Sequence, residues 1–223
     1  MWVLTIDQEG SRTVGDRVSD LLAGLAADSP LTRAAQDAVV LPFERTVGDE
    51  VQGVLADPGL VVALTLHLVR AGGWSVGIGA GPVDRPLPAS SREASGAAFI
   101  HAREAVDAAK SRARTVPVAV RGARPDVAAE AEAVLTLLGA VVARRTPAGW
   151  SVADRMTTEP GGAAPRQEDV AAALGISQQA VSERLRTALW FEEVAARPAA
   201  ARLLRLAAAT DDDGHPGRTE EDA

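Results

Sequence analysis

Residues 43–55, FERTVGDEVQGVL, form two short apolar segments on either side of a Gly-Asp pair. Glycine tolerates the positive φ angle that a tight hairpin turn requires, so Gly48 beside Asp49 predicts a β-hairpin. Aspartate is also favoured in turns for purely local reasons, which leaves a solvated turn without further function as an alternative. The stretch therefore predicts a local structure and leaves the role of its carboxylates open.

Strand and helix patterns alternate on both sides of this hairpin. The predicted strands are 2–6, 38–43, 51–55, 74–79 and 116–120, and the predicted helices are 14–27, 58–72 and 97–110, the last ending in a basic cluster. The order β-α-β-β-α-β-α-β matches a ferredoxin-like split βαβ core with one added strand. We therefore expect an α+β chain whose ferredoxin-like domain covers residues 1–122.

The remaining chain has no strand signal. A long amphipathic helix is predicted over 126–145, a short one at 151–156, a Pro- and Gly-rich linker at 159–165, two close helices, and a last helix at 199–209. We expect an all-α domain over 126–209, separated from the first near 122–125. The acidic composition of residues 210–223 predicts a disordered tail.

Composition excludes several classes of function. The chain has no cysteine, so a disulfide framework or thiolate metal site is ruled out, and its three histidines are too scattered for a zinc site. Aromatic residues make up 3%, which disfavours stacking on single-stranded nucleic acid. The net charge is −7, but the tail carries six acids and one arginine, leaving −2 for the rest. With neither a signal peptide nor a membrane-spanning run, we expect a soluble cytoplasmic protein.

Residues 167–189, QEDVAAALGISQQAVSERLRTAL, have the pattern of a helix-turn-helix. Val170, Ala171 and Leu174 share one face of a first short helix, and Gly175 allows the sharp turn between the helices. Ser177 is a suitable N-cap for the second helix. A helical hairpin used only for packing or dimerisation is the alternative.

The outward side of the second predicted helix is polar and suited to base edges. Glutamine pairs well with adenine and arginine with guanine, and a glutamate can accept from cytosine but is repelled by phosphate. The predicted DNA-binding residues are Ser177, Gln178, Gln179, Ser182, Glu183 and Arg186. Between residues 166 and 205 six arginines face five acids, which is little positive charge for a protein that binds double-stranded DNA.

Two carboxylates of the first domain are predicted to meet. Asp7 ends the first strand, which is central in a ferredoxin-like core and lies next to the hairpin that carries Asp49. One or two carboxylates at such a sheet edge suit Mg²⁺, which takes its other ligands from water and substrate phosphates.

The motifs RTVGDEVQGVL at 45–55 and VGIGAGPV at 76–83 resemble the hairpin and the Gly-rich strand end of class III nucleotidyl cyclases. The arrangement LTIDQEGSR, GDEVQ, GIGAG, AFIHAREAV also resembles the SatD family of bacterial proteins, in some of which a helix-turn-helix follows. The resemblance covers residues 1–121. It implies a cyclase-like fold that builds its site between two protomers.

The cyclase resemblance also implies site residues. Asp7 and Asp49 match the two metal-binding aspartates, Arg45 takes the place of the base-contacting lysine, and Arg103 matches the transition-state arginine. The partner asparagine is replaced by Phe99, which has no hydrogen bond to donate to ribose. The resemblance thus implies nucleotide binding at Arg45 and Arg103 with Mg²⁺, and argues against turnover.

We therefore expect a homodimeric transcriptional regulator that binds double-stranded DNA, whose N-terminal domain dimerises or senses a nucleotide-type ligand. One alternative is a Mg²⁺-dependent nucleotidyl-transfer enzyme that uses Asp7 and Asp49. Another is an interaction adaptor without catalytic activity.

Overall fold

The computed structural model describes residues 1–26, 38–157 and 165–210. The strands are β1 (Trp2–Gln8), β2 (Val39–Arg45), β3 (Glu50–Leu55), β4 (Trp74–Ala80) and β5 (Val118–Gly122). The helices are α1 (Ser11–Val14), α2 (Val18–Ala26), α3 (Pro58–Ala71), α4 (Ala97–Ala109), α5 (Pro125–Arg144), α6 (Pro147–Met156), α7 (Gln167–Leu174), α8 (Gln178–Thr187) and α9 (Trp190–Ala208).

The five strands form a mixed sheet in the order β2-β3-β1-β4-β5. Strand β1 is central and antiparallel to both β3 and β4, β2 is antiparallel to β3, and β5 is parallel to β4. The predicted hairpin is confirmed, with Gly48 at its turn in the left-handed region, φ 63°. Because helices pack on this mostly antiparallel sheet, the chain belongs to the α+β class.

The two faces of the sheet are covered by different elements. Side chains of alternate β1 residues point to opposite faces, so Leu4 and Ile6 belong to the larger core and Val3 to a smaller one. Helices α3, α5 and α9 contribute to the larger core. Helix α4 and the loop at 81–96 cover the other face, where Ser90 and Ser91 of the loop donate hydrogen bonds to the same oxygen of Glu44 at 2.6 and 3.0 Å.

The Gly-rich sequence of β4 permits a close approach of α4. A Cβ atom at Gly77 would lie 2.2 Å from the backbone nitrogen of Val106, and one at Gly79 would lie 2.0 Å from the carbonyl oxygen of Ala98. These distances are far below van der Waals contact, so both positions exclude any side chain. The glycines of this motif therefore have a packing role that needs no ligand.

Three predicted helices have different bounds in the structure. The one predicted at 151–156 begins at Pro147, where the hydroxyl of Thr146 accepts from the N–H of Gly149 and caps it. The start predicted at residue 14 is wrong, because α1 ends at Val14, Gly15 has φ 86° and α2 begins only at Val18, and the end predicted at residue 27 lies outside the described residues. The start predicted at residue 199 is wrong, since α9 begins at Trp190 and continues through Pro198. The missing N–H of Pro198 costs one helical hydrogen bond, but the turn before it is anchored by buried Glu193.

The larger core crosses the predicted domain boundary near 122–125. Leu135 and Leu138 of α5 and Leu204 of α9 are buried in the same cluster as Leu4 and Ile6 of β1. The boundary remains a prediction about independent folding, but the two segments share apolar contacts rather than separate cores. The predicted linker at 159–165 lies almost wholly, and the acidic tail beyond Thr210 wholly, outside the described residues.

Within residues 1–26, 38–157 and 165–210, none of the helices is both long enough and apolar enough to cross a membrane.

Candidate functional sites

The segment predicted as a helix-turn-helix folds as two helices joined by a tight turn. Gly175 takes the left-handed conformation with φ 64° and ψ 33°, and the N–H of Ile176 donates to the carbonyl of Ala171 at 3.1 Å. The hydroxyl of Ser177 then accepts from the N–H of Ala180 at 3.1 Å and caps α8. The left-handed turn at Gly175 and the cap at Ser177 confirm the predictions made from these residue types.

A third helix completes this unit. Val152 and Met156 of α6 share a small apolar cluster with Val170 of α7 and with Val181 and Leu185 of α8. Ile176 and Trp190 pack against the same cluster. Helices α6, α7 and α8 are therefore held in a fixed arrangement by one shared apolar cluster, and α8 is the last of the three along the chain.

The outward side of α8 is formed by the predicted contact residues. All of them are exposed: Ser177, Gln178, Gln179, Ser182, Glu183 and Arg186. Arg186 is ion-paired with Glu183, and the hydrogen bond to this carboxylate, followed by its charge, raises the pKa of the guanidinium. The pair lies on the surface, so Arg186 can exchange its partner at little cost.

A buried set of contacts around Arg145 and Glu193, called the joint below, attaches this unit to the rest of the protein. Arg145, at the end of α5, donates from Nη2 to the carbonyl of Ala188 at 3.2 Å and lies 3.5 Å from the carboxylate of Glu193. Arg197 pairs with the same carboxylate. Burial, with the charges of Arg197 and Arg70, lowers the pKa of Arg145 although Glu193 acts in the opposite direction.

A second part of the joint reaches α3 beneath the sheet. Arg70 forms a two-pronged ion pair with Asp154 of α6, at 2.6 and 2.8 Å. The guanidinium carbon of Arg70 lies 3.7 Å from the ring centre of Trp150, and that of Arg145 lies 4.4 Å from it. Helices α3, α5 and α6 therefore meet at one indole ring, through cation–π contacts.

The other candidate site lies at the end of β1. Asp7 is opposite Glu50 of β3 and Ser75 of β4, and the N–H of Gln8 donates to the carbonyl oxygen of Asp49 at 3.3 Å. The structure thus places Asp7 and Asp49 at the same end of the sheet. Glu50 is the carboxylate directly across from Asp7 on the same face, a neighbour that sequence alone did not indicate.

The carboxylate of Asp7 has a cation beside it. Its Oδ1 lies 2.8 Å from Nζ of Lys110, which follows the last turn of α4. Burial lowers the pKa of Lys110, but the hydrogen bond and charge of Asp7, with further contributions from Asp107 and Glu50, outweigh burial and raise it. Lys110 belongs to the basic cluster noted in the sequence, which was the only signal for this contact.

Mg²⁺ at Asp7 does not fit the observed geometry without rearrangement, because a dication would have to displace the Lys110 ammonium. Among the described residues there is no group of three or more His, Cys, Asp or Glu side chains that could hold an ion. Mg²⁺ needs only one or two protein carboxylates when phosphates supply other ligands. Metal binding by Asp7 and Asp49 therefore remains a prediction.

The residues expected to contact a nucleotide belong to different elements, Arg45 to the end of β2 and Arg103 to α4. Arg45 donates to both carboxylate oxygens of Asp16 at 2.7 Å, which ties the hairpin to the loop before α2 and lowers the pKa of Asp16. Arg103 is exposed on α4 and has no partner among the described residues. Phe99, one turn earlier, packs against the apolar cluster of Val3 and Leu41.

An open basin of about 450 Å³ lies between the end of β1 and the segment after α4. Its lining includes Asp7, Glu9 and Ser75 together with the cations Lys110, Arg112 and Arg114. Arg114 donates hydrogen bonds to the carboxylate of Glu132 at 2.7 Å and to the carbonyl of Val118 at 2.8 Å, so it stabilises the fold. Exposed Arg112 has no partner among the described residues.

Comparison with known protein families, with curated proteins and with solved structures finds no match to this chain.

Proposed function

We propose that the protein is a DNA-binding transcriptional regulator that contacts double-stranded DNA through α8. The observation that carries this proposal is the arrangement of α7, Gly175 and α8 with a polar, exposed outer side on the second helix. A helix in this position fits the major groove, with its first residues at base edges. Gln178 and Gln179 lie in the first turn of α8, where such contacts are made.

The charge of this surface predicts binding that depends on few phosphate contacts. Arg186 is partly neutralised by Glu183, and Arg166 at the start of α7 is paired with Glu168 at 2.8 Å. Because phosphate contacts supply most non-specific affinity, we expect weak binding to arbitrary DNA and a shallow salt dependence. Specific sequences should therefore be favoured by base contacts more than by charge.

The experiment is fluorescence anisotropy with a mixed-sequence duplex and with sites selected from a randomised duplex library. Gln179→Ala and Arg186→Ala should each weaken binding to selected sites about 5- to 150-fold, the range expected for one bidentate base contact. Arg103→Ala is the matched control, since Arg103 is also exposed but lies on α4. Unchanged affinity in the Gln179→Ala, Arg186→Ala double variant would refute the proposal.

We further propose a ferredoxin-like, cyclase-related scaffold for residues 1–122, acting as a sensor rather than an enzyme. The strand order β2-β3-β1-β4 with helices after β1 and β3 supports the βαββαβ arrangement. The apolar packing of Phe99 supports an absence of turnover, because that position offers ribose no hydrogen bond.

The basin beside Asp7 supports binding of a phosphate-bearing ligand, with Lys110 and Arg112 among the cations that line it. A thermal-shift series with ATP and GTP, each with and without Mg²⁺, tests this second proposal, because a ligand that binds the folded state raises its melting temperature. Stabilisation that is lost in Arg112→Ala supports it. If no nucleotide raises the melting temperature and no DNA binding is found, the adaptor is favoured. If a product forms from ATP or GTP and its formation depends on Asp49, the enzyme is favoured.

A further inference from the structure

The outer side of α5 carries an apolar stripe that no described residue covers. Leu137 is 70% exposed, although its neighbours Leu135 and Leu138 are buried in the main core. Ala133 is also exposed, and Val141 is half-buried on the same side of the helix. A single exposed leucine is ordinary on a protein surface, but a contiguous run of uncovered apolar side chains along one helix marks a surface available for association.

The residues of this stripe are arranged symmetrically about Leu137. Ala133 and Val141 lie four positions before and after it, and Glu130 and Arg144 lie seven positions before and after it. Spacings of four and seven residues place side chains on one face of an α-helix. Along α5 the stripe therefore runs from an acid, through three apolar residues, to a base. The two charged residues are equally far from Leu137 and have opposite signs.

Two such helices in antiparallel orientation are complementary to each other. A two-fold axis at Leu137 places Glu130 of each copy opposite Arg144 of the other, and Ala133 opposite Val141. Glu130 and Arg144 are both exposed and have no ion-pair partner among the described residues. We propose that this face of α5 binds the same face of a second copy of this chain, forming a two-fold symmetric dimer.

A groove beside the stripe supplies the room that such a contact needs. It measures about 370 Å³ and lies between α5 and the turn from α8 to α9, lined by Leu137, Val141, Arg144 and Leu189. In the antiparallel pair, residues 130–134 of the second copy lie over this half of α5. The small side chain of Ala133 allows close approach there, and the second copy's Glu130 meets Arg144 at the rim.

The sheet itself offers less surface for self-association. Thr5 and Gln52, on the side of β1 and β3 that faces away from the main core, are 1% and 7% exposed within a single chain. Gln52 donates to Thr5 at 3.0 Å, and Ser91 of the 81–96 loop donates to the carbonyl of Gln52 at 3.1 Å. This face is therefore already covered, whereas the stripe on α5 is open.

The dimer also orients the DNA-binding units, and this part rests on the proposed function. Helix α6 begins three residues after Arg144, so the two units leave the helix pair at opposite ends. At a rise of about 1.5 Å per residue, Leu137 and Arg144 are ~10 Å apart along the helix axis. The Arg144 residues of the two copies are therefore ~20 Å apart along the helix pair. Paired half-sites one DNA turn apart need recognition helices ~34 Å apart, a spacing of the same order.

Sedimentation velocity of the full chain without DNA tests the dimer independently of DNA binding. The wild-type protein should sediment as a dimer and Leu137→Glu as a monomer, because the substitution places two carboxylates at the symmetry axis. Ile100→Glu is the matched control, since Ile100 is 63% exposed on α4 and should leave the dimer intact. A monomeric wild type, or a dimer that survives Leu137→Glu, would overturn the proposal.

A charge exchange tests the antiparallel register. Glu130→Arg and Arg144→Glu should each weaken dimerisation about tenfold, because each places like charges opposite one another twice. The double variant should recover the wild-type dissociation constant. Failure of the double variant to recover, with all variants folded by circular dichroism, would exclude this register. A wild-type protein that is a dimer but binds no DNA would refute the proposed function and leave this inference standing.

Discussion

Two arginine–glutamate pairs in the helical part of the molecule have the same chemistry and opposite surroundings. In the joint, the side chains of Arg145 and Glu193 are 2% and 0% exposed, and Arg197 and the carbonyl of Ala188 complete their hydrogen bonds. On α8, the side chains of Arg186 and Glu183 are 76% and 58% exposed, and within the described ranges they are paired only with each other.

Burial decides what each pair can do. Charges removed from water need every hydrogen bond satisfied, and no buried side-chain nitrogen or oxygen in the described residues lacks a partner. The buried pair therefore fixes the orientation of α6, α8 and α9 relative to α5. The exposed pair contributes little to stability, and its arginine can turn to a ligand. One pair maintains the fold, and the other is available for function.

The largest effect is expected from Glu193→Ala. This change leaves Arg145 buried without its carboxylate and should lower the free energy of unfolding by about 3–5 kcal/mol. Urea denaturation followed by circular dichroism measures it. A loss below ~1 kcal/mol would mean that water or another carboxylate reaches Arg145, against the buried geometry.

The Arg145→Met, Glu193→Leu double variant is the control for this prediction. Replacing both charges by apolar groups of similar size removes the unpaired charge, so most of the lost stability should return. If the double variant is as unstable as Glu193→Ala, the charged pair is needed to orient the helices around it, and not only to neutralise the charge of Arg145.

A smaller, pH-dependent effect is expected for Glu132, whose side chain is 18% exposed between Arg114 and Arg121. Burial raises the pKa of Glu132, but the Val120 N–H and both arginines outweigh burial and lower it. The lowered folded-state pKa means that its contribution is present above the ordinary glutamate range and is lost as pH falls through the folded value.

Glu132→Gln should therefore cost about 1–2 kcal/mol near neutral pH, the loss of charge-assisted hydrogen bonds. The difference from wild type should stay constant above the ordinary glutamate pKa of about 4.3 and shrink as the pH is lowered below it. Urea denaturation at several pH values measures this, with Glu104→Gln on the exposed side of α4 as control. A difference that grows on acidification would contradict the assigned pKa direction.

The smallest effect on stability is expected from Glu183→Gln on α8. Because the pair is exposed, its loss should leave the unfolding midpoint unchanged within error. DNA affinity should instead rise a few-fold at low salt, since a carboxylate near phosphate is removed and Arg186 is released. Anisotropy with the mixed-sequence duplex measures this, and unchanged or weaker binding would separate Arg186 from the DNA surface.

Local patterns in the sequence predicted local structure well. The turn at Gly48, the cap at Ser177 and the left-handed Gly175 depend on residues a few positions apart, and the structure contains each of them. Helix α9 was predicted too short because Pro198 is a local breaking signal, whereas the contact that holds the preceding turn joins Glu193 to Arg145, 48 residues away.

The candidate site at Asp7 also depends on a contact between residues far apart in the sequence, which local patterns do not predict. Its position at the end of β1 followed from the strand pattern, but Lys110 is 103 residues further along the chain. No spacing rule links such residues, because their proximity depends on how closely α4 approaches β4. Gly77 and Gly79 set that approach, and in the sequence they have the appearance of a ligand-binding loop.

The indole of Trp150 lies between two guanidinium groups that belong to different helices. Its fluorescence is therefore an internal optical reporter of the joint, since movement of α6 away from α3 or α5 changes the electric field across the ring. The chain has four tryptophans, so the emission of Trp150 is obtained as the difference between wild type and Trp150→Phe. A change in that difference on adding DNA would show that an event at α8 reaches the helices beneath the sheet.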